Sequence, residues 1–130
     1  MWFDFVHGKE KVKFMFNNEL SLDDSELENI LFYDLSKIRL CFNTKHVPKS
    51  IPDKWRNIEF NGLSISLIII GIIQLDLRGE RVGFTCSPQF YSGDNKVILS
   101  IENGNKFNLS CTADAIIIDS IEPYLDQRWK

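Results

Sequence analysis

The chain is poor in the residues on which chemistry is usually built. Its 130 residues include two histidines and three cysteines, and neither type clusters. His7 and His46 lie far apart in sequence, and no Gly-x-Ser-x-Gly elbow supplies a nucleophile for either to activate. No Cys-x-x-Cys or His-x-x-x-His pair preorganises zinc ligands. The acids Asp23, Asp24, Glu26 and Glu28 lack the alternating oxygen ligands, central Gly and distal Glu of a calcium loop. Gly79 and Gly83 flank Glu80 and Arg81 without the Lys-Ser/Thr that completes a phosphate cradle. The sequence therefore predicts no catalytic residues, no metal and no cofactor, in a protein that is not an enzyme.

Charge of one sign is also scarce. Eighteen acids against fifteen bases leave a formal charge of -3, with no general field to draw the chain onto nucleic acid or anionic lipid. Cys41, Cys86 and Cys111 are odd in number, widely spaced and set among apolar or β-favouring neighbours, which disfavours a secreted disulfide framework and fits a reducing cytoplasm. The most apolar run, Leu67 to Ile73, is broken by Gly71 and falls far short of the roughly 20 residues of a membrane helix. The start of the chain carries Asp4 and lacks the basic and apolar regions of a secretory signal. The expectation is a cytoplasmic protein without a membrane or nucleic-acid partner.

What is present is core material. Hydrophobic residues make up 44% of the chain, ten Phe and three Trp among them, and 130 residues suffice for one domain around one core. From Gly8 to Asn18, Val12, Met15 and Phe16 recur at helical spacing between lysines, and Asn17 and Asn18 can close a helix in the left-handed conformation. Val12, Phe14 and Phe16 also alternate as a strand would. Ser21 to Glu28 reads as an acidic surface loop or turn capped by Ser21. In Leu27 to Leu35, Leu27, Ile30 and Leu31 fit a helix while Leu27, Leu31, Tyr33 and Leu35 fit one strand face, and the alternation of Ile38, Leu40 and Phe42 as a hairpin partner favours the strand.

Pro48 and Pro52 mark Asn43 to Arg56 as the longest connection. Beyond it, β-rich runs follow at Ile58 to Ile70, Ile72 to Arg78, Val82 to Cys86, Val97 to Glu102, Lys106 to Thr112 and Ala115 to Ile121. Asn103-Gly104 sits between two alternating runs as a tight hairpin turn. The fold class read from these patterns is α+β, mainly antiparallel β, as one domain over residues 1–130 with a short N-terminal helix packed on a sheet or sandwich. Trp55 and the pair Phe90-Tyr91 are large aromatics in loops beside Pro or Gly, the types that anchor interfaces or fill a core.

The order of these features resembles the immunity protein 50 family of bacterial polymorphic toxin systems. The resemblance is carried by Met1-Trp2-Phe3, Met15-Phe16, the strands from Leu27 to Phe42, Pro52-Asp53-Lys54-Trp55, the run Leu63 to Gly79, and Phe107 to Tyr124 with Ala115-Ile116-Ile117-Ile118. It implies a small protein that binds a cognate toxin domain and blocks it. The acidic residues Asp23, Asp24, Glu26 and Glu28, with Trp55, Phe90 and Tyr91, are then the candidate partner-binding residues. A different reading is a structural or assembly module that offers an exposed strand edge along Ile58 to Ile70.

Overall fold

The computed structural model describes residues 2–17 and 19–129. One α-helix, α1 (Lys9–Phe16), follows Gly8, whose φ of 94° admits no side chain comfortably. Val12 and Phe16, one turn apart, are fully buried, so the helical period wins over the strand alternation. Asn17 ends α1 at φ 52°, its N–H donating to the Lys13 carbonyl at 3.1 Å; Asn18 lies outside the described residues.

The remainder is mainly antiparallel sheet. The strands are β1 (Ser25–Asp34), β2 (Lys37–Thr44), β3 (Gly62–Gly79), β4 (Thr85–Cys86), β5 (Gln89–Gly93), β6 (Lys96–Asn103) and β7 (Phe107–Tyr124). They form one seven-stranded sheet in the order β4-β1-β2-β3-β7-β6-β5. With, among the described residues, a single short α-helix and three brief 3-10 turns beside it, the architecture is closer to all-β than to α+β.

Several boundaries differ from the sequence reading: Lys106 to Thr112 and Ala115 to Ile121 are one strand, β7, because pairing with β3 continues across Ala113, and Val82 to Cys86 is a strand only at Thr85–Cys86. Ile58 to Ile70 and Ile72 to Arg78 are not two strands: β3 begins at Gly62 and runs through Gly71, which takes φ +65°. The chain bends there without ending because Ile72 N–H donates to the Ser36 carbonyl at 3.1 Å and pairing to β7 resumes with one register irregularity between Ile72 and Gln74. Glu26 and Glu28 belong to β1 and not to a preceding loop. Phe90 and Tyr91 lie in β5, which a two-residue turn at Asp94 and Asn95, both at positive φ, joins to β6.

Register also decides which edges are open. From Leu63 to Ile70, β3 has β2 on one side and β7 on the other, so the stretch proposed from sequence as a free edge is interior to the sheet. The C-terminal half of β7 is flanked on its second side by His7, which accepts from Ile118 N–H and donates to the Ile116 carbonyl. β1 is different. Ser25 and Glu26 pair with β4, but from Asn29 to Asp34 β1 has β2 on one side and, among the described residues, no strand on the other.

The sheet curls around one core. β4, at one end of the strand order, touches β6 near the other end. Leu27, Leu40 and Phe42 meet Leu99, Ile101 and Leu109 in the same apolar cluster, all at zero exposure, each such side chain contributing about 1.5–3 kcal/mol by leaving water. α1 contributes Val12 and Phe16 to this cluster, and the connection between β2 and β3 contributes Trp55.

Candidate functional site

The most unusual surface is the β1–β2 hairpin. Alternation should leave one face of a strand wet, yet Ile30-Leu31-Phe32-Tyr33 is continuously apolar, and Leu31, Phe32 and Tyr33 are each about half exposed, with Leu35 at 78%. Phe32 pairs with Ile38, whose side chain is fully buried, and Leu31 pairs with Arg39 on the opposite face. Both faces of the hairpin tip therefore present apolar surface. Ile73, the extra residue at the β3 irregularity, and Leu77 add exposed apolar area on the free half of β3.

The tip is held rigidly. The Asp34 carboxylate accepts from the Ser36 N–H at 2.6 Å and its hydroxyl at 2.5 Å, and these bonds hold its pKa below the ordinary value. The Lys37 ammonium lies over the Tyr33 ring, 4.7 Å from its centroid.

The acids singled out from sequence do not act as one group. Asp23 and Asp24 are exposed in the turn before β1, with the Ser21 and Ser87 hydroxyls accepting their backbone N–H groups. Glu28 is exposed on β1 and accepts from the Cys41 thiol at 3.5 Å. Glu26 is drawn inward: both its carboxylate oxygens lie 3.1 Å from the Arg128 guanidinium. Arg128 also binds Asp126, at 2.6 Å through its terminal nitrogen, so the end of the chain clamps the start of β1.

That clamp has a pH signature. Hydrogen bonds from Arg128 pull the Asp126 carboxyl from its usual 3.8 down to about 2. A depressed carboxyl stabilises the fold fully above its ordinary pKa and loses that contribution as pH falls from about 4 toward 2. Urea unfolding across this window should show stability falling in the parent chain and a flatter fall in Arg128→Ala. Parallel curves would mean that the pair is not formed in solution.

Of the three aromatics, two are packed inside. Trp55 stands 5.4 Å from Phe16 and 5.8 Å from Phe60 between ring centroids, at 3% exposure. Phe90 packs on Trp2 at 5.6 Å. Tyr91, on the opposite face of β5, is exposed.

His46 lines an open groove with Trp2, Glu19, Asp23 and Val47, while His7 is committed through its backbone to β7. The three cysteines are buried, and burial pushes the Cys86 and Cys111 thiols up to about 11, far from the thiolate a nucleophile needs. Among the described residues no group of three His, Cys, Asp or Glu side chains could hold a metal, and no helix is long and apolar enough to cross a membrane.

The apolar hairpin tip was not singled out as a binding surface from sequence. Its signal is there, in four consecutive apolar residues inside an otherwise alternating strand, but the same run serves a strand buried on both faces.

Comparison with known proteins gives one match of high coverage. A family model described as Immunity protein 50 matches residues 8–124. No curated protein and no solved structure matches the chain.

Proposed function

The chain belongs to the immunity protein 50 family, and from that premise we propose that it neutralises a cognate bacterial toxin domain, in the cytoplasm, by binding and blocking it. One observation supports this reading most: the exposed apolar tip of the β1–β2 hairpin, Leu31, Phe32, Tyr33 and Leu35, on a domain whose thiols and histidines are not arranged for catalysis. Monomeric soluble proteins rarely keep such patches without a partner. An inhibitor of this kind needs a rigid scaffold and a complementary surface, and no chemistry of its own.

Asp23 and Asp24 in the turn before β1, with Glu28 on β1, supply exposed negative charge that steers a basic toxin surface toward the strand; Glu26, already paired to Arg128, contributes less. The buried Trp55 and Phe90 support the scaffold more than the contact, and the exposed Tyr91 is the one of the three aromatics open to a partner. A second reading, an assembly module that uses a strand edge, draws on the open edge of β1 rather than on Ile58 to Ile70.

The test is co-expression with the candidate toxin domain encoded beside this chain. Growth is expected to be restored, and the association rate of the purified pair to fall with added salt. A domain that is toxic and against which the chain gives no protection overturns the reading.

A further inference from the structure

An open strand edge is a row of unsatisfied backbone donors and acceptors, and proteins usually blunt it with an inward-pointing charge, a proline or a covering segment. β1 uses none of these along Ile30-Leu31-Phe32-Tyr33, which carries neither charge nor proline. Its one-sided stretch, from Asn29 to Asp34, is about the length of an average strand. Above and below the backbone, Leu31 and Phe32 expose apolar surface on opposite faces. A strand added here would gain backbone hydrogen bonds and two apolar strips together.

Charge selects the occupant. From Glu19 to Ser36 the chain carries six acids and no base. Glu28 lies near one end of the open stretch and Asp34 at the other, and the Ser36 hydrogen bonds favour the ionised form of Asp34. Lys37, the first base beyond, is turned onto Tyr33. Pairing two copies of this strand antiparallel about Leu31 sets Glu28 of each against Asp34 of the other, and a shift of one residue leaves the acids one position apart. Like charges directly opposite across strands are destabilising. An apolar segment flanked by Lys or Arg meets the same edge with attraction at both ends.

Resting on the toxin-neutralising reading, we propose that the outer edge of β1 from Asn29 to Asp34 is the docking strand, and that it takes an extended, basic-flanked apolar segment of the toxin domain as an added strand. The hairpin tip then covers the apolar side chains of that segment on both faces.

The experiment uses the purified toxin domain and the full chain. Leu31→Lys/Tyr33→Lys is compared with Val47→Lys/Ile58→Lys, which alters exposed apolar residues of the connection between β2 and β3, away from the edge. The first pair is expected to weaken binding by at least about thirtyfold and the second by less than about threefold. Amide hydrogen exchange in the parent complex is expected to slow at residues 29–34, a readout that does not depend on any variant folding. Equal binding by both variants, or unchanged exchange at 29–34 in a complex that forms and protects cells, overturns the docking strand while leaving toxin neutralisation intact. Failure of the parent chain to bind or protect overturns both. Exchange slowed at the same amides in the chain alone, with a dimer by light scattering, assigns the edge to a second copy and overturns the partner segment.

Discussion

Trp55→Ala is expected to lower the unfolding free energy by about 3–5 kcal/mol, the range for removing a large aromatic from a packed core. Trp55 sits in a loop made irregular by Pro48 and Pro52, where an aromatic would ordinarily be suspected of reaching outward. It is instead 3% exposed, held between Phe16 of α1 and Phe60 at the approach to β3. Its loss would remove the contact that fastens both the helix and the connection to the sheet. Urea titration followed by far-ultraviolet circular dichroism should show an earlier midpoint with little change of slope. Tyr91→Ala, on an exposed face of β5, should cost less than about 1 kcal/mol. If Trp55→Ala were equally mild while toxin binding was lost, the tryptophan would be an interface anchor and its core packing would be wrong.

This contrast shows what local pattern can convey. Val12 and Phe16 disclosed α1 because a helix is a local object, and Asn103-Gly104 marked the reversal but not its form: Asn103 ends β6, the turn is Gly104 to Lys106, and of the two only Gly104 takes positive φ. The pairing of β1 with β2 followed from the alternation of Ile38, Leu40 and Phe42 beside the run from Leu27 to Leu35. Gly71 misled for the opposite reason: a glycine between apolar runs reads as a terminator, whereas β7 and the Ser36 carbonyl carry the strand through it. β5 escaped notice because its turn is Asp94-Asn95, without the glycine that usually announces a two-residue hairpin.

The candidate site was harder still to read. Glu26 looked like part of a free acidic cluster, and its partner Arg128 lies 102 positions away, where no spacing rule reaches. The open edge of β1 is a property of strand order, since it exists because β4 is only two residues long. Membership of the immunity family was legible because the order of apolar and aromatic segments spans most of the chain.

Gly71→Ala is expected to destabilise the fold by about 2–5 kcal/mol, and the amount divides into two parts. A residue with a side chain at φ +65° is penalised by about 1–2 kcal/mol. A β-carbon at Gly71 would also stand 2.7 Å from the Asp114 Cβ, and relieving such overpacking costs about 1–3 kcal/mol. Gly104→Ala isolates the first part, because Gly104 has φ +55° with nothing within 4 Å of an added β-carbon. Asp114→Gly in the Gly71→Ala background, measured against Asp114→Gly alone, isolates the second, since alanine would keep the crowding Cβ. Asp114 alone contributes little, since its 2.6 Å ion pair with Lys96 is largely exposed. The double variant should therefore recover most of the difference between Gly71→Ala and Gly104→Ala. If Gly71→Ala costs no more than Gly104→Ala, Asp114 does not crowd the bend, and the close approach of β3 to β7 there is not what reserves this position for glycine. If it costs more and Asp114→Gly restores the difference, the bend that turns the two long strands around the core is fixed by a contact between one glycine and one carboxylate-bearing side chain.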